Sequence, residues 1–141
     1  MFQAQLTGAR VARLSGSSNA QRSFTVELPD LQFGIGMFAP RGDTVQSVGI
    51  RCQGDQPPAL GVHTLDASGE DCIAGYARVL SLSQGGEIVL ESAEAISGTM
   101  TIETSQPDQL VGTFTFRGTM LVEADSVGIL QVSGSFNADV F

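Results

Sequence analysis

The chain has 141 residues, 42% of them apolar and only 16% charged, which suits one domain with a single core that needs no metal to hold it. Fifteen carboxylates stand against seven arginines and no lysine, a net charge of −8, so no cationic cluster exists to engage a phosphate backbone or an anionic membrane surface. No apolar run approaches the ~18 residues of a membrane helix, and Met1–Leu6 has neither the basic nor the apolar region of a signal peptide.

Taken in chain order, the dominant signal is period-2 alternation. Phe2, Ala4 and Leu6 alternate with Gln3, Gln5 and Thr7. Residues 9–20 carry small side chains on both faces. Phe24, Val26 and Leu28 alternate up to Pro29-Asp30, and Phe33, Ile35 and Met37 alternate with Gly34 and Gly36 up to Pro40. Val48, Ile50 and Cys52 form the next apolar face, followed by a short strand at Leu60–His63. Residues 73–82, apolar on both faces, are ambiguous between a central strand and a short helix, and 87–95 between a strand and one or two helical turns. Flanking turns spaced for strands, and the lack of helix caps, favour strands at both.

The last third is the clearest. Ile96, Gly98, Met100 and Ile102 oppose Ser97, Thr99, Thr101 and Glu103. After Gln106-Pro107-Asp108, Phe114, Phe116, Met120 and Val122 oppose Thr113, Thr115, Arg117 and Thr119. After Glu123-Ala124-Asp125, Leu130, Val132, Gly134, Phe136, Ala138 and Val140 form the final apolar face. One buried and one wet face per strand is the antiparallel pattern. The expectation is a single all-β domain over 1–141, an antiparallel sandwich or closed barrel of about ten strands with little or no helix. A recurring tripeptide (Leu6-Thr7-Gly8, Leu14-Ser15-Gly16, Ile96-Ser97-Gly98, Val132-Ser133-Gly134) places glycines inside strands, read as points where the sheet bends or coils.

Little of the chain carries catalytic chemistry. The one histidine, His63, falls on the expected solvent face of a short strand, and no nucleophile elbow or zinc-ligand spacing accompanies it. Asp66, Ser68, Glu70 and Asp71 share one loop with oxygens at alternate positions, a weak calcium pattern whose Gly69 is out of register for an EF-hand. Without tryptophan and with a single tyrosine, the chain lacks the aromatic cleft of a glycosidase. Arg41-Gly42-Asp43 reads as a turn. Phe38 and Phe141 fall out of phase and read as packing at the ends of the fold. No enzyme activity and no cofactor is expected.

Two features point to binding. Thr99, Thr101, Thr113, Thr115 and Thr119 make a polar outward face on neighbouring strands, suited to a glycan or a partner sheet. Cys52 and Cys72 bracket an irregular stretch rich in glycine and proline, and are expected to form a disulfide.

Phe2-Gln3-Ala4-Gln5-Leu6-Thr7-Gly8, Ser97-Gly98-Thr99-Met100-Thr101-Ile102, Val111-Gly112-Thr113-Phe114-Thr115-Phe116 and Val132-Ser133-Gly134-Ser135-Phe136 cover about a third of the chain. On these segments it resembles small β-sandwich or barrel domains of bacterial secreted proteins and envelope lipoproteins. The resemblance implies an extracytoplasmic home, with a leader absent from this sequence, and no functional residues. The expected function is a non-enzymatic module that binds a protein or glycan partner or joins a larger assembly, without nucleic acid and without a membrane span. A barrel that carries a small apolar ligand, and a phage or capsid-type surface protein, are the alternatives.

Overall fold

The computed structural model describes residues 1–22, 29–82 and 85–141; the strand expected at Phe24, Val26 and Leu28 lies outside the described residues. The described residues form ten strands in order: β1 (Phe2–Gly8), β2 (Ala12–Arg22), β3 (Phe33–Arg41), β4 (Thr44–Cys52), β5 (Gly61–Thr64), β6 (Cys72–Ser81), β7 (Glu87–Glu94), β8 (Ser97–Ser105), β9 (Gln109–Val122) and β10 (Asp125–Val140). Among the described residues there is no helix. Both ambiguous segments are strands, β6 and β7.

The architecture is a closed antiparallel barrel. Eight strands run β1-β2-β3-β4-β6-β7-β9-β10, and β10 pairs back onto β1 from Phe2↔Phe136 to Gly8↔Leu130. Hairpin turns at 8–11, 42–43 and 123–124 define the upper end, where β6 ends and β7 begins. The stretch 53–71 and the turn at 106–108 lie at the lower end.

Alternation places one side chain of each pair in the lumen. Phe2, Leu6, Phe33, Ile35, Met37, Ile50, Tyr76, Leu110, Phe116 and Leu130 all point inward, are almost fully buried, and fill the interior as one core. The rings of Phe114 and Phe136 meet with centroids 6.3 Å apart.

The glycines of the recurring tripeptide show how the wall coils. A Cβ at Gly16 would lie 2.0 Å from the Phe38 carbonyl oxygen, at Gly98 2.3 Å from that of Thr115, and at Gly134 2.2 Å from that of Gln3. Each marks a place where the neighbouring backbone presses against the strand, which only glycine permits. The register shifts fall elsewhere, so these are bends and not bulges.

β8 continues β7 along β9, and the register slips by one residue between Ala93↔Met120 and Ser97↔Arg117. The slip moves the inward parity from odd (Glu91, Ala93, Ala95) to even (Met100, Ile102). Ile96, expected inward, is therefore 54% exposed.

Below this point β8 and β6 part, and the excursion between the cysteines fills the gap. β5 pairs with β8 from Gly61↔Ile102 to Thr64↔Thr99. The Leu65 amide then donates to the Gly98 carbonyl (2.9 Å) and the Asp66 amide to the Cys72 carbonyl (3.2 Å). Leu65 itself is wholly buried. Cys52 and Cys72 are direct cross-strand partners on β4 and β6 and form a disulfide, with Cα atoms 4.1 Å apart.

Candidate functional site

The outward side chains of β5, β8, β9, β10, β1 and β2 stand in ranks across the wall. One rank runs Thr64, Thr99, Thr115, Ser133, Gln5, Arg13, each the register partner of the next. The rank beside it runs Val62, Thr101, Thr113, Ser135, Gln3, Ser15. Strand spacing sets neighbours in a rank about 4.8 Å apart, and the strand rise sets the two ranks about 7 Å apart.

Four of the five threonines singled out in the sequence meet here, as the pairs Thr99↔Thr115 and Thr101↔Thr113. Thr119 does not join them. It lies beyond Arg117 and pairs with Ile129 at the upper end. The sequence reading missed the other half of the face, because Gln3, Gln5, Arg13, Ser15, Ser133 and Ser135 come alongside only when β10 closes onto β1. A groove of about 480 Å³ opens over these six residues. Its floor includes Gly134, where the two strands press together.

The face differs electrostatically from the rest of the molecule. Its two ranks contain no carboxylate, in a chain with fifteen, and Arg13 is their only charge. Arg117 stands in the next rank, opposite Gln131. Among the described residues, no hydrogen bond or ion pair engages the side chains of Gln3, Gln5, Ser15, Thr99, Thr101, Thr113, Thr115, Ser133 or Ser135. Their donors and acceptors face solvent unspent. In these two ranks every outward side chain but Val62 is polar, the reverse of a membrane barrel's lipid-facing wall, and among the described residues no helix is long and apolar enough to cross a membrane.

Other polar residues are committed to the fold. In the 66–71 loop, Asp66 Oδ1 accepts from the Ser68 amide (3.0 Å) and from the Ser68 hydroxyl, and the Ser68 hydroxyl accepts from the Glu70 amide (3.3 Å). Asp71 turns away to β5, where its Oδ2 accepts from the Thr64 amide (3.1 Å). The four residues of the calcium pattern thus form a self-capped turn and do not gather on a common centre. Among the described residues one close group of His63, Asp71 and Cys72 has metal-ligating atoms, but the Cys72 sulfur is held in the disulfide.

His63 is not the surface histidine that the alternation suggests. Its side chain is 16% exposed, because the 53–60 stretch and the 66–71 turn close over that side of β5. Arg41-Gly42-Asp43 is the β3–β4 turn, as expected, with Gly42 at φ 66°. Phe38 packs on the outer wall against Gly36 and not at an end of the fold, while Phe141 is exposed at the lower end.

A buried polar cluster closes the upper mouth. Glu91 Oε1 accepts from the Tyr76 hydroxyl (2.7 Å) and Arg78 Nε (3.1 Å), and it is ion-paired with Arg10, which reaches across from the β1–β2 turn. Gln46 Nε2 in turn donates to the Tyr76 oxygen (3.0 Å). Burial alone would push Glu91 up, but Arg10, Tyr76 and Arg78 outweigh it and hold the carboxyl below its ordinary range. Burial, with the Glu91 carboxylate beside it, pushes the Tyr76 phenol up to about 12 against the Gln46 donor and the Arg10 charge.

The largest of the grooves described, about 650 Å³, lies on the opposite outer wall over Ser47, Gly49, Gly75 and Ala77. Compared with protein-family models, curated proteins and solved structures, the chain matches none.

Proposed function

We propose that this barrel is a non-enzymatic extracytoplasmic binding module, and that its hydroxyl and amide face docks an uncharged polyhydroxylated partner, a neutral glycan. The observation that carries the reading is the charge partition: two acid-free ranks of Thr, Ser and Gln with unspent hydrogen-bonding groups, on a protein of net charge −8. Such a face offers donors and acceptors together, as sugar hydroxyls require. It also places its groups one strand apart, a distance on the scale of a sugar ring.

The filled lumen favours the outer wall over the interior as the place of binding, and so weighs against a carrier. The Cys52–Cys72 bond supports an oxidising compartment, in line with the resemblance to secreted and envelope domains. Both ring nitrogens of the one histidine are occupied by the fold, which favours binding over catalysis.

Retention on insoluble neutral polysaccharides and on a glycan array tests the reading. Thr113→Glu and Ser133→Glu should each weaken binding at least about tenfold, a loss of about 1.4 kcal/mol. Ser47→Glu, on the opposite wall, should leave binding intact. Binding that survives both face substitutions, or the absence of any retained glycan, overturns it.

A further inference from the structure

His63 sits on β5 between Val62 and Thr64 and points away from the face they share. Its Nδ1 lies 3.0 Å from Asp71 Oδ1 and its Nε2 lies 2.7 Å from the Ala59 carbonyl oxygen. A carbonyl has no proton to give, and neither has an ionised carboxylate. Both ring nitrogens must therefore carry hydrogen, and the arrangement is that of an imidazolium donating twice. A neutral ring has one N–H and would turn a lone pair onto one of the two oxygens.

The Ala59 bond pins a segment that is otherwise held by the buried Pro58 and by few polar ties. The Ser105 hydroxyl donates to the Pro58 carbonyl (2.8 Å), and Arg22 lies 3.5 Å from Asp55 with both groups in solvent. Gly54 and Gly61 bound the segment at φ 83° and 111°, conformations open to glycine and strained for other residues. Beneath it lies a cavity of about 260 Å³ lined by Cys52, Gln53, Asp55, His63 and Asp71 among others. The Asp71 end is held separately, since its second oxygen accepts from the Thr64 amide.

We propose that His63 is a pH-operated clasp. Protonated, it holds residues 55–60 against the lower end of the barrel; neutral, it keeps Asp71, releases Ala59 and lets the segment swing about Gly54 and Gly61, opening the cavity beside the disulfide.

The titratable groups around the ring are Asp71 from the turn before β6 and Asp55 from the segment itself, which lines the same cavity. β8, whose Met100 is the register partner of His63, offers Thr99, Thr101 and Ile102 along β5 and no charge. Burial works against protonation, but the Ala59 carbonyl and then the Asp71 carboxylate outweigh it and leave the imidazole above its ordinary 6.5. The sign follows. The clasp's contribution is complete below about pH 6.5, the unfolded value, and is lost as pH rises through the higher folded value.

His63 is the only histidine, so every imidazole signal in an NMR titration from about pH 5 to about pH 9 belongs to it. Its midpoint should lie above 6.5. Backbone order parameters of Asp55, Gln56, Ala59 and Leu60 should fall to below about 0.6 at the same midpoint, with those of the β9–β10 amides unchanged. The step should vanish in His63→Gln, and Asp71→Asn should lower the midpoint. A midpoint at or below 6.5, order parameters of the segment that do not change with pH, or a step retained in His63→Gln overturns the clasp; the wild-type titration decides by itself if either variant fails to fold.

Discussion

Tyr76 is the chain's one tyrosine, and its hydroxyl is used twice, as donor to Glu91 and as acceptor from Gln46. A phenolate there would be buried inside the barrel and would sit against a carboxylate, which is why its pKa rises to about 12. Phenolate absorbance should therefore stay absent until well above pH 10 and show a midpoint about 12. Because the folded value exceeds the unfolded one, the phenol's contribution to stability is whole below about pH 10 and is lost as pH climbs toward 12. A midpoint near 10 would mean that the hydroxyl is free and the mouth of the barrel open. None of this was legible in the residue types alone. Glu91 reads as an ordinary strand carboxylate, and its partners come from β6 and from a turn about eighty residues earlier. His63 was misread for a related reason: alternation says which way a side chain points from its own strand, but not what another segment lays over it.

Single strands were the legible level of this fold. One wet and one buried face impose period 2, so β1, β3, β4, β9 and β10 stand out, and Thr99, Thr101, Thr113 and Thr115 are outward as read. Closure was not legible. Whether ten strands stack as two sheets or curl into one depends on coiling, and the coiling is recorded in close approaches such as Gly134 to the Gln3 carbonyl, which a sequence does not display. The half of the face formed by β10, β1 and β2 was hidden with it. The cysteine pair was legible because Gly54, Pro57, Pro58, Gly61 and Gly69 mark a stretch with much freedom to lose. The cysteines are 20 positions apart, and closing such a loop stabilises by about 3 kcal/mol through the unfolded chain. The bonded excursion also supplies the Leu65 plug between β6 and β8. Replacing both cysteines by alanine should lower Tm by roughly 10 °C, at two to four degrees per kcal/mol for a chain of this size. Unreduced protein should take up no alkylating reagent. An unchanged Tm would show that the plug, and not the bond, holds the lower end.

Across the whole molecule, a ring of eight strands leaves no open sheet edge within the barrel, and β5 and β8 cover the place where two strands part. The outer wall is mixed: the two polar ranks offer a hydrogen-bonding surface, while Ile88, Val89, Leu121, Val127 and Ile129 leave apolar side chains exposed toward the upper end. The seam where β10 meets β1 also has a consequence in time. Met1 and Asn137 hydrogen-bond across 136 positions of sequence, whereas the long β9–β10 hairpin needs only a short turn. Local pairing comes cheaply to a searching chain, and the seam must wait until the two strands farthest apart have found each other. Refolding should thus fall in the millisecond-to-second range of non-local β proteins, with β1 docking after the rate-limiting barrier. Leu6, fully buried on β1 opposite Val132, reports on that order. Truncation to alanine removes about 2–5 kcal/mol, and in stopped-flow measurements the loss should accelerate unfolding while leaving the refolding rate nearly unchanged. If refolding slows in proportion instead, the barrel closes first and its hairpins settle afterwards.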